Sequence, residues 1–267
     1  MRIFLSLFLI SSITFAYIDM DIDGVDDSVD QCPNTPFMET VDINGCSEEA
    51  LISQSHYDII IGAAYSQIDY ITNEKTDTVT STLQVDYFQD NFSLQAVGSY
   101  YNSSSDTYDE SGLNDTILAA YYLIPLSSDF RLRIGAGVIL PTYDTSLNNN
   151  NMDYLASISA TYALNKFNIF GAYSLTLIND DDVAGAQYQD QSAYSAGVGV
   201  HISPKQYMSV SYSQADSIYV NAEETRSVSL YNFYSIDTNW FTTFSYAYGL
   251  SDTTSDHYLA LNLGYYF

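Results

Sequence analysis

The chain has 267 residues, with 33 acidic against 7 basic side chains and a formal net charge of -26. That balance excludes nucleic acid as a partner, because phosphate contacts need Lys and Arg on the contacting face. Hydrophobic residues make up 46% of the chain and aromatics 15%, yet beyond the first segment no apolar run reaches the roughly 18 residues of a spanning helix, which excludes a helical membrane protein.

In chain order, residues 1–16, MRIFLSLFLISSITFA, place one Arg ahead of an apolar run and end on Thr14 and Ala16. Small residues there fit a signal-peptide cleavage site, so the reading is export across the inner membrane. Cys32 and Cys46 are the two cysteines, and an exported chain with one pair is most simply read as carrying one disulfide.

Residues 17–50 begin YIDMDIDGVDDSVDQCPNTP and end DINGCSEEA. Asp19, Asp21 and Asp23 alternate, Gly24 follows, and Asp30 sits at loop position twelve. Carboxylates at this spacing converge on one hard cation and the glycine permits the sharp turn. Val25 would lend a backbone carbonyl, and Asp27 would act directly or through water. A second site around Asp42 and Asn44 offers too few carboxylates. The segment resembles a thrombospondin type 3 repeat of the kind found in bacterial proteins of the OmpA family. The resemblance rests on the D-x-D-x-D-G run, the C-P-N-T-P stretch and the closing D-x-N-G-C. It implies bound calcium and a Cys32–Cys46 bridge. Such repeats usually connect a barrel to a peptidoglycan-binding domain, and this chain ends on strand-like sequence, so cell-wall anchoring is not carried over.

Residues 51–267 break into segments of ten to fourteen residues, apolar at every second position. This is the pattern of transmembrane strands. The expected fold is all-β: a closed antiparallel transmembrane β-barrel of about 12 strands, with the small calcium-loop module before it. The strands are expected over 57–70, 77–88, 91–102, 115–125, 129–141, 152–164, 167–178, 190–202, 206–217, 225–236, 239–250 and 256–267. Tight links at Gln89-Asp90, Leu126 to Ser128, Asn165-Lys166, Ser203 to Lys205 and Asp237-Thr238 alternate with longer polar ones such as NSSSDTYDESGLND and INDDDVAGAQYQD. Outer-membrane barrels have short periplasmic turns and long external loops. The expectation is therefore an outer-membrane location, both termini and the calcium module in the periplasm, and a negative outer rim. Asp106, Asp109, Glu110, Asp180, Asp181, Asp182, Glu223 and Glu224 contribute to that rim, read as simple solvation ahead of a ligand role.

Strand parity turns Trp240, Phe244, Tyr246 and Tyr248 toward lipid, together with Phe130, Leu132, Ile134 and Val138, which leaves Arg131 and Arg133 in the lumen as a counter-charged constriction. Phe92, Phe130, Phe167, Tyr207, Trp240 and Phe267 are expected in the periplasmic aromatic girdle. The last strand, HYLALNLGYYF, ends on an outward Phe267, resembling the signal read by the barrel-assembly machinery. A soluble sandwich also alternates, but so many one-sided aromatics would make it aggregation-prone in water.

His201-Ile202-Ser203 invites comparison with the outer-membrane phospholipases, since residues two apart share a face. It lies beside the short turn at Pro204, however, the wrong end for that family, and no enzymatic activity is expected. Lumen positions read as small or polar, including Thr80, Thr82, Gln84, Ser157, Ser159, Thr161, Ser195, Gly197, Gly199, Ser209, Ser211 and Ser213. The expected function is a narrow passive, porin-like channel for small solutes or ions. The alternative is a structural barrel that binds lipopolysaccharide or a periplasmic partner without conducting.

Overall fold

The computed structural model describes residues 55–69, 74–107, 109–143, 151–183 and 187–267. Apolar side chains at every second residue give each segment one wet and one oily face, which only an extended strand can separate. The described residues form thirteen strands: β1 (Ser55–Ile68), β2 (Thr76–Gln89), β3 (Phe92–Ser104), β4 (Asp109–Leu113), β5 (Thr116–Pro125), β6 (Phe130–Leu140), β7 (Asp153–Leu164), β8 (Phe167–Leu177), β9 (Gln191–Ser203), β10 (Gln206–Ala215), β11 (Thr225–Ser235), β12 (Trp240–Gly249) and β13 (His257–Tyr266). Neighbours pair antiparallel, and β1 also pairs with β13, Ile59 opposite Tyr265 and Tyr65 opposite Leu259. The sheet is thereby closed, with no long edge to template aggregation.

β4 and β5 share one place in the wall. Tyr100 of β3 faces Leu113 of β4 and Val97 faces Ile117 of β5, so three steps on one strand meet four on the other. The extra residue is a bulge at Asn114–Asp115, and the barrel has 12 strand positions, as the sequence led one to expect. One correction follows. The stretch 102–115, expected as a long loop, instead carries the β3–β4 hairpin onward, Ser104 opposite Asp109. Its polar composition masked the alternation that pairs it.

Tight links join strands at one end, and two of them use a left-handed Asx residue, Asp90 (φ 50) and Asn165 (φ 55). Asp and Asn tolerate this conformation because their short polar side chains can bond the local backbone. At the other end lie the longer connections, among which the β8–β9 and β10–β11 loops zip together through a Tyr188–Tyr219 bridge.

Exposure alternates along strands such as β1 and β2, and the outward set is apolar: Ile61, Leu83, Val198 and Leu261 are all more than half exposed. A continuous apolar surface of this kind marks the barrel as membrane-spanning. Aromatics flank the belt, eight residues apart in Tyr57–Tyr65 of β1, Tyr154–Tyr162 of β7 and Trp240–Tyr248 of β12. At ~3.3 Å per residue and a strand tilt of ~40°, the belt is about 20 Å tall. Phe92, Phe130, Phe167, Trp240 and Phe267 face outward at its short-turn edge. Tyr207 does not. The parity that turns Ser209 inward turns Tyr207 inward as well; its ring lies 5.0 Å from that of His201, and its hydroxyl donates to Asn168 Oδ1 at 3.1 Å.

Candidate functional site

The closed wall makes the lumen the candidate site, and inward parity divides it into two chemically different halves. Toward the long-loop end the inward residues of β7–β11 are small: Ser157, Ser174, Ser195, Ser213 and Ser227 help to line a cavity of about 340 Å³. The serines and threonines that the sequence placed in the lumen are inward in the structure.

Toward the short-turn end the lumen is aromatic. His56 stacks on Phe88 at 4.5 Å, Phe241 packs between Phe233 at 5.4 Å and Tyr266 at 4.7 Å, and Tyr207 lies 6.4 Å from Tyr231. Several rings lie flat against the wall because a glycine stands beneath them. A Cβ at Gly264 would collide with Phe241, one at Gly199 with Tyr207, and one at Gly135 with Tyr121. Aromatic–glycine pairs of this kind cover exposed backbone and keep bulk out of the middle of the lumen. Sequence reasoning missed these inward aromatics. The signal was available, since Phe88 has the same parity as Thr82 and Gln84, but parity was not followed to the strand ends.

Polar groups run around the same level of the wall. Gln84 Nε2 donates to Asp86 Oδ2 at 2.6 Å and Gln95 Nε2 to Asp86 Oδ1 at 2.9 Å. Tyr121 donates to Gln95 Oε1 at 3.3 Å, and the Arg133 guanidinium sits 3.7 Å above the Tyr121 ring while donating to Ser93 Oγ at 3.4 Å. Arg133 thus belongs to the lumen wall, whereas Arg131, two residues nearer the short turn, is exposed at the rim. Asp58 and Asp86, both inward and buried, were not singled out from the sequence.

At the long-loop mouth, acidic side chains hold the loops. Asn179 N–H donates to Asp153 at 2.7 Å, Tyr143 N–H to Asp115 at 2.9 Å, Tyr188 N–H to Asp182 at 2.9 Å and Asn151 N–H to Asp180 at 3.1 Å. Glu74 accepts from Thr107 Oγ1 at 2.7 Å and Ser105 Oγ at 2.8 Å, and these bonds hold its carboxyl below the usual range. Part of the acidity read as simple solvation is therefore structural, each carboxylate satisfying a loop donor. Asp19, Asp21, Asp23, Val25, Asp27, Asp30, Cys32 and Cys46 lie outside the described residues. Phe267 joins first strand to last, its N–H donating to the Tyr57 carbonyl at 2.9 Å.

Residues 56–267 match the family described as "Putative MetA-pathway of phenol degradation". The chain belongs to this family. Among solved structures the COG4313 outer membrane channel from Pseudomonas putida F1 is similar, with a TM-score of 0.68 at 13% identity, over 85% of this chain and 100% of that one. The NanC porin gives 0.52 at 12% identity, over 78% and 98%. A KdgM porin in complex with disordered oligogalacturonate gives 0.50 at 11%, over 78% and 98%. At such identities the likeness is one of fold, that of an outer-membrane channel. No curated protein matches the chain.

Proposed function

We propose that this member of the family is a narrow passive channel of the outer membrane, with the short-turn end in the periplasm and the acidic loops outside. The reading rests on the divided lumen: a vestibule of about 340 Å³ lined mainly by small serine, threonine and alanine side chains, and a neck whose rings lie back on glycines. Small-solute diffusion needs such a path and no chemistry. The barrel is read as non-enzymatic, and the His201 ring is taken up by its contact with Tyr207. Planar, weakly polar solutes suit a neck walled by Phe88, Phe233 and Phe241, and the family's description names phenol degradation. Arg133 supplies positive charge to the wall of that neck, and Arg131 to its rim.

The test is single-channel recording from the refolded protein in planar bilayers. A small steady conductance is expected, with millimolar phenol reducing the current. Folded protein that never conducts would overturn the channel and favour the structural alternative, in which the rim binds lipopolysaccharide phosphates through divalent ions. Assembly by the barrel-assembly machinery through the strand ending at Phe267 belongs to the same proposal.

The calcium loop is a second, separate proposal, carried by the spacing of Asp19, Asp21, Asp23 and Asp30 around Gly24. Because its ligands must be gathered by the ion, EDTA is expected to speed protease cleavage of the full chain between Tyr17 and Leu51. Calcium should reverse the effect. Equal cleavage rates with and without EDTA would dispose of the site.

A further inference from the structure

Asp58 of β1 and Asp86 of β2 are register partners on the inward face, which places their Cβ atoms roughly 4.5–5.5 Å apart. They are only 7% and 6% exposed. Two carboxylates this shielded from water require compensation. Asp86 receives the amides of Gln84 and Gln95, which give each of its oxygens one donor but bring no positive charge. Among the described residues Asp58 Oδ1 is buried without a hydrogen-bond partner. The Nε2 of His56 stands 3.9 Å from that oxygen, beyond hydrogen-bond reach, on a ring stacked against Phe88. Arg133 is occupied by Tyr121 and Ser93, and on the other flank Asp58 pairs with Tyr266.

We propose that Asp58 and Asp86 bind an exchangeable monovalent cation and are the cation-selecting point of the neck. An all-oxygen donor pair suits a hard ion. Among the described residues no group of three or more acidic, His or Cys side chains gathers to hold a metal, so the site lacks the ligand set of a tightly held divalent ion. Weak, exchangeable binding is what permeation requires, since an ion held firmly would block the path. The selecting role rests on the channel reading above; the binding does not.

Two measurements separate them. In a potassium chloride gradient across a planar bilayer, the wild-type reversal potential should lie toward that of potassium, and the double variant Asp58→Asn/Asp86→Asn should move it several-fold closer to zero. Crystals soaked in thallium(I) acetate should show an anomalous peak between the two carboxylates, absent from the double variant. A thallium peak in a protein that does not conduct would remove the channel and leave the cation site standing. Conduction with an unchanged reversal potential in the double variant, and no thallium between the carboxylates, would overturn the site; the two acids would then be sharing a proton.

Discussion

Gly264→Ala is expected to lower single-channel conductance and to reduce folding stability by about 1–3 kcal/mol, the usual cost of overpacking. The added Cβ would meet Cζ, Cε1 and Cε2 of Phe241. That ring cannot slide sideways, because Phe233 lies against it on one side and Tyr266 on the other. It must swing off the wall into the lumen, where it narrows the neck. Removing the ring in the same background tests the cause: Gly264→Ala/Phe241→Ala should recover conductance, and the two changes should couple by roughly 0.5–3 kcal/mol in urea unfolding. If Gly264→Ala leaves conductance and stability at wild-type values, the rings do not define the neck.

Leu261→Arg is expected to destabilise the barrel by about 2–4 kcal/mol, the cost of a cationic side chain on the lipid face near the bilayer midplane. Leu261 points outward, 57% exposed, and lies mid-strand between Phe244 of β12 and Ala63 of β1. The control is Ser195→Arg, which points inward and borders the vestibule. There the guanidinium can stay hydrated, so the loss of stability should be much smaller while conductance falls. Urea unfolding from phospholipid vesicles of defined chain length measures both. Equal losses for the two variants would contradict the assignment of faces. The belt of about 20 Å, from ~3.3 Å per residue over the girdle spacing, adds that stability should be greatest in thin, short-chain bilayers.

Most of the barrel was legible from the chain, and particular residues show why. A strand's side chains alternate with a period of two, so Ile59, Ile61 and Tyr65 declare one face of β1 without reference to any other strand. Tight links such as Asn165-Lys166 then force neighbours to pair, and twelve segments joined this way close into one sheet. Where alternation is written in polar residues, as in Asp109–Leu113, the signal fades, and the hairpin was mistaken for a loop. The lumen was only half legible. Parity says that Tyr207, Phe241 and Asp58 point inward, but not what they meet there.

The amino-acid sequence by itself determined the barrel class, the alternation of short and long connections and the lipid face, because each is encoded by residues close to one another in the chain. What only the tertiary structure decided is the character of the lumen: Phe241 resting on Gly264, Arg133 drawn onto Tyr121, and Asp58 beside Asp86 with no donor for its Oδ1 among the described residues. The physical reason is that these partners come from different strands. Their meeting depends on the register of the closed sheet, which a one-residue bulge such as Asn114–Asp115 can shift and which no single segment carries.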